Sequence, residues 1–395
     1  MKKGEAWLCF ADGHFETRDS WMEFKDLKTQ YMRHREAIDS AVGRNMKAGQ
    51  FIGGEPVTSL EKRLADYVGV KHCISCANGT DALLLALMAW GVGEGDAVFV
   101  PDFTFFSTAE VVPWVRAGLV FVDIDADTFN ISPQAFEKAV ERVKKEGRLT
   151  PRAVIVVDLF GQPAEYEKIR QIAERYDLFL LEDSAQGFGG RIGEKRACSF
   201  GDISTTSFFP VKPLGCYGDG GAVFTDNDEW AELIRSYKVH GKGFDKYDNI
   251  RIGMNSRLDT IQAAVLLEKL SFFDEELVEM NRVAEVYTGR LQGKVKTPVI
   301  RQGYYSSWAQ YTVQFEDARQ REETMKKLEA DGIPSVIYYV KPLHMQTVFS
   351  DLQVEGTGCP ITEQICATCL SLPLHPYLEE KEIDAVCDCV KKAIG

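Results

Sequence analysis

A single lysine between an aromatic run and a glycine-rich turn carries the clearest chemical potential in this sequence. Lys212 is followed by Pro213 and lies two residues after Pro210, so a helix is disfavoured and the amine is held on a rigid loop. The glycines of residues 215–221 permit close backbone approach and positive φ angles. A lysine fixed in this way can form a Schiff base with a carbonyl group, although a surface lysine before a turn has the same local sequence.

Two distant stretches supply groups that complement this amine. Residues 179–183 predict a buried strand that ends at Asp183, and ligands bind at the carboxyl ends of strands in open parallel sheets. Residues 76–83 predict a strand, a tight turn at Gly79 and a helix that begins near Thr80. A helix N-terminus after a glycine is a phosphate site. A phosphate site, an acid at a strand end and a loop lysine are the parts that a pyridoxal phosphate site requires.

Taken together, these stretches resemble the DegT/StrS-type sugar aminotransferases. The matching segments occur in the family's order over residues 22–395, and they are residues 78–83, 182–186, 207–210 with Lys212, 218–221 and 255–259. Each segment alone is a weak signal, whereas the combination is highly specific. The resemblance implies an α/β, fold-type I pyridoxal phosphate transferase, with a large domain of mainly parallel sheet covered by helices and a smaller α+β C-terminal domain.

The resemblance also implies roles for individual residues. Lys212 would hold pyridoxal 5'-phosphate and, once released, move the proton between the substrate carbon and the cofactor. Asp183 would keep the pyridine nitrogen protonated so that the ring accepts electrons. The other implied cofactor contacts are Gly79, Thr80 and Ser207 at the phosphate, Gln186 at the ring hydroxyl, Phe105 on the ring face, and Asn255 at the phosphate of a neighbouring subunit. The last contact implies a homodimer with shared active sites.

Several of these residues have an ordinary structural interpretation as well. The hydroxyls of Thr80 and Ser207 also suit capping or turn bonds, and Phe105 also suits a core position. Ser256 is predicted to cap the next helix, with Asp259 three residues later as in a capping box. That cap would place the residue before it at a helix N-terminus.

Substrate contacts are predicted from two stretches, 307–311 and 338–344, that match family segments lining the sugar-nucleotide cleft. Arg257 is placed to meet an anionic group. The residues expected to bind substrate are Arg257, Gln310, Tyr311, Tyr338 and His344. For each of them a structural role is an equal alternative.

The activity implied is transfer of an amino group, with glutamate as the expected donor, to a keto group of a nucleotide-linked sugar for surface-polysaccharide or glycan precursor synthesis. Residues 73–80, 212–221 and 251–259 look most similar to the UDP-2-acetamido-3-oxo-glucuronate branch. One alternative is a 4-keto-6-deoxy-sugar aminotransferase, and another is a catalytically silent regulator that keeps the cofactor pocket. An intact Lys212 and Asp183 argue against the regulator.

Composition limits the possible partners. The 395 residues suffice for one large and one small domain. A net charge of -13 argues against binding nucleic acid or anionic membranes. No apolar run approaches membrane-spanning length, and no signal peptide is recognisable at the N-terminus. These features predict a cytoplasmic protein.

Cysteine spacing raises the question of a metal site. Cys73 and Cys76, like Cys366 and Cys369, have the two-residue separation of zinc ligands. The first pair lies in a predicted strand, where positions three apart face opposite sides, and the second pair is predicted on one apolar face of a helix. We expect reduced, buried thiols and no metal.

Strand and helix patterns alternate from residue 72 to residue 181, which predicts a parallel sheet covered by helices. The predicted organisation is an N-terminal extension (1–21), a large cofactor-binding domain (22–285) and a small C-terminal domain (286–395). Strands are predicted at residues 310–315 and 335–339 of the small domain, followed by a final helix at 381–394.

Overall fold

The computed structural model describes residues 21–245, 247–350 and 358–395, and the predicted extension therefore lies almost wholly outside the described residues. The α-helices of the described chain are α1 Leu27–Ala48, α2 Glu55–Val68, α3 Gly79–Ala89, α4 Ser107–Trp114, α5 Pro133–Glu146, α6 Tyr166–Arg175, α7 Asp228–Tyr237, α8 Thr260–Leu270, α9 Phe273–Leu291, α10 Ala318–Ala330, α11 Pro360–Thr368 and α12 Glu380–Ile394. The strands are β1 His72–Cys76, β2 Asp96–Pro101, β3 Gly118–Val122, β4 Thr150–Val157, β5 Phe179–Asp183, β6 Arg191–Ile192, β7 Lys195–Arg196, β8 Ile203–Ser207, β9 Gly221–Thr225, β10 Tyr304–Tyr305, β11 Tyr311–Gln314 and β12 Cys369–Leu372. None of the described helices combines the length and the apolar content needed to cross a membrane.

A seven-stranded sheet in the order β1-β9-β8-β5-β4-β2-β3 organises the large unit. The run from β8 through β3 is parallel, whereas β9 pairs antiparallel with both β8 and β1. The central strands are covered on both faces, which explains why β4 ends in the continuous apolar run of residues 153–157. The predicted parallel sheet is thus present, with two antiparallel pairings at one side.

The sheet register brings three distant stretches to one edge. Asp183 at the end of β5 lies opposite Thr205 of β8, so β8 continues to Ser207 just past the acidic residue. Gly221 is paired with Ser207 on one side and with Cys76 on the other. The chain leaving β1 therefore enters α3 directly beside the end of β8.

Gly221 allows this close approach. A side-chain Cβ at this position would lie 2.5 Å from the backbone of Asn78, a distance that real Cβ atoms do not adopt. Any larger residue would push α3 away from the sheet edge. The glycine after the lysine loop therefore serves packing at the start of the helix.

A second core lies in the C-terminal part of the chain. β11 and β12 form an antiparallel pair, and buried residues of α9, α10 and α12 pack with them, among them Tyr287, Leu328 and Val386. Met22 belongs to the same core, although it precedes α1. The predicted boundary at residue 285 falls inside α9, and we propose that this helix joins the two units.

The predicted cap at Ser256 is wrong. α8 begins at Thr260 with Asp259 as the residue before it, and the Ser256 hydroxyl instead accepts a hydrogen bond from the backbone N–H of Ala77 at 3.0 Å. A long-range partner after β1 thus takes the oxygen that a helix cap would have used. Consequently, Asn255 is not at a helix N-terminus.

Two further predictions in the C-terminal part are wrong. Residues 335–339 do not form a strand, and only Val336 makes an isolated bridge, with Ser371 of β12. Cys366 and Cys369 do not share a helix face, because α11 ends at Thr368 and Cys369 begins β12. All the cysteines of the described chain are free and buried, as expected.

Candidate active site

The N-terminus of α3 lies against the end of β8. The Asn78 side chain accepts a hydrogen bond from the backbone N–H of Asp81 at 2.8 Å, which caps the helix at Gly79. A Cβ at Gly79 would be 2.8 Å from the Cβ of Ser207, so the two residues are in direct contact. The structure thus brings Gly79 and Ser207 together at a helix N-terminus, the arrangement that binds phosphate.

Two hydroxyls border the same N-terminus. Thr80 donates a hydrogen bond through Oγ1 to the Oγ of Ser107, 3.0 Å away at the start of α4. Thr80 was predicted as a phosphate contact, whereas Ser107 was not, since nothing in its local sequence distinguishes it from an ordinary helix start. Its position next to Thr80 makes it a further candidate hydroxyl for an anion.

Asp183 is buried at the end of β5, as predicted. Its carboxylate accepts hydrogen bonds from the backbone N–H of Ala185 at 3.1 Å and from Oγ1 of Thr108 at 3.0 Å. Burial raises the pKa of Asp183, while these hydrogen bonds and the charge of Lys212 act in the opposite direction. A protonated ring nitrogen next to this carboxylate would provide a positive charge, and that charge would compensate the negative charge of the buried Asp183.

Lys212 lies in a turn in which its backbone N–H donates to the carbonyl of Phe209 at 2.8 Å. Burial lowers the pKa of the Lys212 amine, and the charge of Asp183 opposes that shift. The two groups therefore lie within electrostatic reach of each other. A lowered pKa favours the neutral amine, which is the nucleophilic form.

Gln186 is buried and its amide is oriented from both sides. Its Oε1 accepts from the backbone N–H of Phe160 at 2.7 Å, and its Nε2 donates to the hydroxyl of Tyr339 at 3.1 Å. The second Nε2 hydrogen has no protein acceptor in the described chain and suits an oxygen in the site. Tyr339 was not predicted, although it follows Tyr338 in a stretch that was.

A buried carboxyl network supports the end of β5 from behind. Glu182 accepts hydrogen bonds from the backbone N–H groups of Cys198 and Phe200, each at 2.6 Å. Ser184 bridges Glu182 Oε1 at 2.7 Å and Asp158 Oδ2 at 2.5 Å. Burial and the charge of the neighbouring Glu182 raise the pKa of Asp158. These contacts fix the strand from which Asp183 projects.

Three predicted site residues lie on the exposed surface. Phe105 is 50% exposed in the loop after β2, where an aromatic ring is open to a ligand. Asn255 and Arg257 are exposed before α8. Their exposure leaves them available to a substrate or to a second subunit, and their roles remain predictions.

Tyr311 and Gln310 are both buried, and their predicted substrate contacts stay predictions. Tyr311 is 0% exposed in the second core, and its hydroxyl lies 2.9 Å from that of Thr288. Gln310 is also buried and lines a different pocket, together with Trp308 and Thr312. Apolar packing of β11 explains the position of Tyr311.

The His344 side chain has a structural partner, Asp102. Its Nδ1 is 2.6 Å from Oδ2 of Asp102, and its backbone N–H donates to the other carboxylate oxygen at 2.8 Å. With Cys359, these side chains place ligand atoms within 4.8 Å of one another, which is the geometry of a possible metal site among the described residues. These contacts anchor the loop that carries His344, and its predicted substrate contact stays a prediction. Tyr338 is half-buried beside Tyr339 and stays a prediction.

The residues present fit pyridoxal phosphate. The donor set consists of a buried amine, a buried carboxylate, an oriented amide and a helix N-terminus with adjacent hydroxyls, matching respectively an aldehyde, a pyridine nitrogen, a ring hydroxyl and a phosphate. Gly79 and Gly221 also leave backbone room where a side chain would collide.

Comparison with known proteins supports this interpretation. A protein from Pseudomonas aeruginosa named UDP-2-acetamido-2-deoxy-3-oxo-D-glucuronate aminotransferase is 45% identical over 369 residues, covering 93% of this chain and 98% of the relative. A pleiotropic regulatory protein from Geobacillus stearothermophilus is 40% identical, with 90% and 94% covered.

Solved structures agree with the fold. A DegT DnrJ EryC1 StrS aminotransferase from Brucella abortus superimposes with a TM-score of 0.92 at 48% identity, covering 95% of this chain and 100% of the other. The structure of ntda from Bacillus subtilis with bound cofactor PMP gives a TM-score of 0.83 at 29% identity, covering 92% and 82%. The predicted fold-type I architecture is thereby confirmed. Residues 32–391 match the DegT/DnrJ/EryC1/StrS aminotransferase family, and the chain belongs to that family.

Proposed function

We propose that this protein is a pyridoxal phosphate-dependent aminotransferase that moves an amino group from glutamate to a keto group of a nucleotide-linked sugar. The observation that carries the proposal is the convergence of Lys212, Asp183 and the N-terminus of α3 at one sheet edge. When bound, the cofactor supplies an electron sink for the carbon that loses or gains a proton.

Each of the residues in the site would have a separate role. Lys212 would hold the cofactor and, once released, carry a proton at its Nζ atom between the substrate carbon and the cofactor, a task suited to an amine with a lowered pKa. Asp183 would hold a proton on the pyridine nitrogen. Gln186, oriented by Phe160 and Tyr339, would fix the ring plane.

The acceptor we propose is a UDP-2-acetamido-3-keto-hexuronate, used to build surface polysaccharide or glycan precursors. It is supported by the name of the 45%-identical relative from Pseudomonas aeruginosa. We further propose a homodimer in which the exposed Asn255 completes the neighbouring subunit's phosphate site.

The test is a panel of UDP- and dTDP-linked keto sugars, each incubated with the cofactor-loaded enzyme and glutamate. Formation of the amino sugar from the UDP-keto-uronate, and its loss in Lys212→Ala, is the expected result. Preference for a dTDP-4-keto-6-deoxy sugar would instead favour the second substrate class.

A non-catalytic regulator is the second candidate, because the 40%-identical relative from Geobacillus stearothermophilus carries the name of a regulatory protein. Glutamate alone discriminates the two. An enzyme releases 2-oxoglutarate in proportion to its cofactor content, whereas a regulator that only retains the pocket releases none.

A further inference from the structure

A pocket beside Lys212 contains polar groups that the proposed cofactor contacts do not use. It has about 480 Å³ of space, part of which is open to solvent, and lies between the start of α1, the lysine loop and α9. The side chains of Lys25, Gln30, Glu276 and His375 line it together with Lys212. The pocket thus adjoins the reacting amine but has its own lining.

Two of the lining atoms are buried without a partner. His375 is 5% exposed, and its Nδ1 has no hydrogen-bond partner among the described residues. The Oε1 atom of Gln30 is buried and unpaired in the same part of the chain. Leaving such an atom unsatisfied is unfavourable, because it loses the hydrogen bond it would make with water. Two of them in one pocket next to a reactive lysine indicate that a ligand completes their bonding.

The protonation state of His375 determines whether its unpaired Nδ1 donates or accepts a hydrogen bond. Burial lowers the pKa of His375 to about 4; the charge of Asp26 and the backbone of Glu23 oppose this shift, whereas the charge of Lys25 adds to it. The ring is therefore neutral. Because the backbone contact uses the ring N–H, Nδ1 is left as a hydrogen-bond acceptor, like Oε1 of Gln30. Both atoms call for hydroxyl or ammonium donors on the ligand.

Lys25 supplies a positive charge without a counterion. No ion pair joins it to any residue of the described chain, and burial together with the charge of Lys212 lowers its pKa to about 7. Two acids, Asp26 and Glu276, also line the pocket, and both accept hydrogen bonds within the chain. Glu276 accepts from Gln30 at 2.8 Å and from the hydroxyl of Tyr377, and Asp26 caps α1.

We propose that this pocket binds a carboxylate of the substrate, with Lys25 pairing with the carboxylate while His375 and Gln30 accept hydrogen bonds from hydroxyl or ammonium groups beside it. The inference rests on the proposed function, because the hexuronate acceptor and the amino acid donor both carry such a carboxylate. An anion would give Lys25 its missing counterion, and the adjoining donors would satisfy the two unpaired acceptors.

Lys25→Met is the informative variant, because it keeps the apolar stem and removes only the charge. Lys28→Met is the matched control, since Lys28 is exposed one helical turn away. UDP-2-acetamido-2-deoxy-glucuronate and UDP-N-acetylglucosamine are the probes. Neither has a ketone, so binding to the cofactor-loaded enzyme is measured by calorimetry without turnover.

For the acceptor as the source of the carboxylate, Lys25→Met is expected to lose roughly 10- to 100-fold in affinity for the uronate and little for the neutral sugar. For the donor as the source, sugar binding stays unchanged, and the glutamate concentration giving half-maximal 2-oxoglutarate release rises by a similar factor. Lys25→Arg should restore part of either loss, and Lys28→Met should match wild type.

The proposal is overturned if Lys25→Met equals wild type in both arms. His375→Phe is a second test variant. It is expected to weaken binding of the same ligand whose binding is weakened in Lys25→Met. Failure of the proposed function gives a different result, because the wild-type protein would then release no 2-oxoglutarate. The two sugar titrations would still measure whether the pocket binds a carboxylate.

Discussion

The hydroxyl of Thr108 on α4 donates a hydrogen bond to Oδ2 of Asp183 at the end of β5, with 3.0 Å between the two oxygens. This contact ties a helix that follows β2 to the acid proposed to face the pyridine nitrogen. Because burial raises the pKa of Asp183, the hydroxyl is one of the few groups that favour its ionised form.

Thr108→Val should therefore raise the pKa of Asp183 further and lower kcat roughly tenfold, the effect of losing one hydrogen bond to a charged group. The pH profile of kcat is the measurement, and its acidic limb should move to higher pH. Thr206→Val is the control, since that buried hydroxyl bonds the carbonyl of Ser184 at 3.0 Å and not Asp183. An unchanged profile in Thr108→Val would show that the contact does not tune the acid.

Asp183→Asn should keep the shape of the site and lose its charge. We expect turnover to fall by at least roughly 100-fold, as when a preorganised electrostatic partner is removed, with cofactor still bound. Stability should not fall, because an acid whose pKa is raised by burial costs folding free energy when it is ionised at neutral pH. Turnover, cofactor absorbance and thermal melting measured on one preparation decide this. Near-wild-type turnover with full cofactor would remove Asp183 from its proposed role.

The chemistry at the sheet edge was predictable because it is encoded locally. Asp183 ends a short apolar strand, Gly79 opens a helix, and Lys212 lies between prolines, so each carries its own signal in a few residues. Their convergence follows from the general rule that parallel strands present their carboxyl ends at one edge.

The errors arise where a long-range partner overrides the local pattern. Ser256 has the sequence of a helix cap, but its hydroxyl is bonded to Ala77, far away in the chain. The contact between His344 and Asp102 is also long-range, and the local sequence does not indicate it. Lys25 lies near Lys212 because the segment that precedes α1 packs on the second core through Met22, and no local pattern indicates this contact.

The buried charge of Lys25 should destabilise the protein. Its pKa is lowered from 10.5 to about 7, so the unfolded state binds more protons between these values and stability rises with pH across that window. Lys25→Met removes this cost, and we expect a gain of roughly 1–3 kcal/mol at pH 6 that shrinks towards pH 10. Thermal melting of both proteins at pH 6 and pH 9.5 checks the sign. A variant less stable than wild type at pH 6 would contradict it.

The last prediction concerns the proposed shared site. Asn255 is exposed in the described chain, and the segment before α8 is anchored to the start of the phosphate site because Ser256 bonds the backbone of Ala77 at 3.0 Å. A side chain placed there can reach a second subunit. Loss of one hydrogen bond to the phosphate would cost about 1.5–3 kcal/mol of cofactor affinity in Asn255→Ala. Cofactor binding would then also favour the dimer by mass action.

Subunit mixing tests this arrangement directly. Lys212→Ala and Asn255→Ala are each expected to be inactive at limiting cofactor. In a mixed dimer, one site would carry both defects and the other neither, so activity should return in part when the two variants exchange subunits. Lys212→Ala mixed with Asp183→Asn is the control, since both defects belong to the same subunit's site and every mixed-dimer site would retain one of them. If the first mixture stays as inactive as this control after exchange has been verified, Asn255 does not complete a neighbouring site.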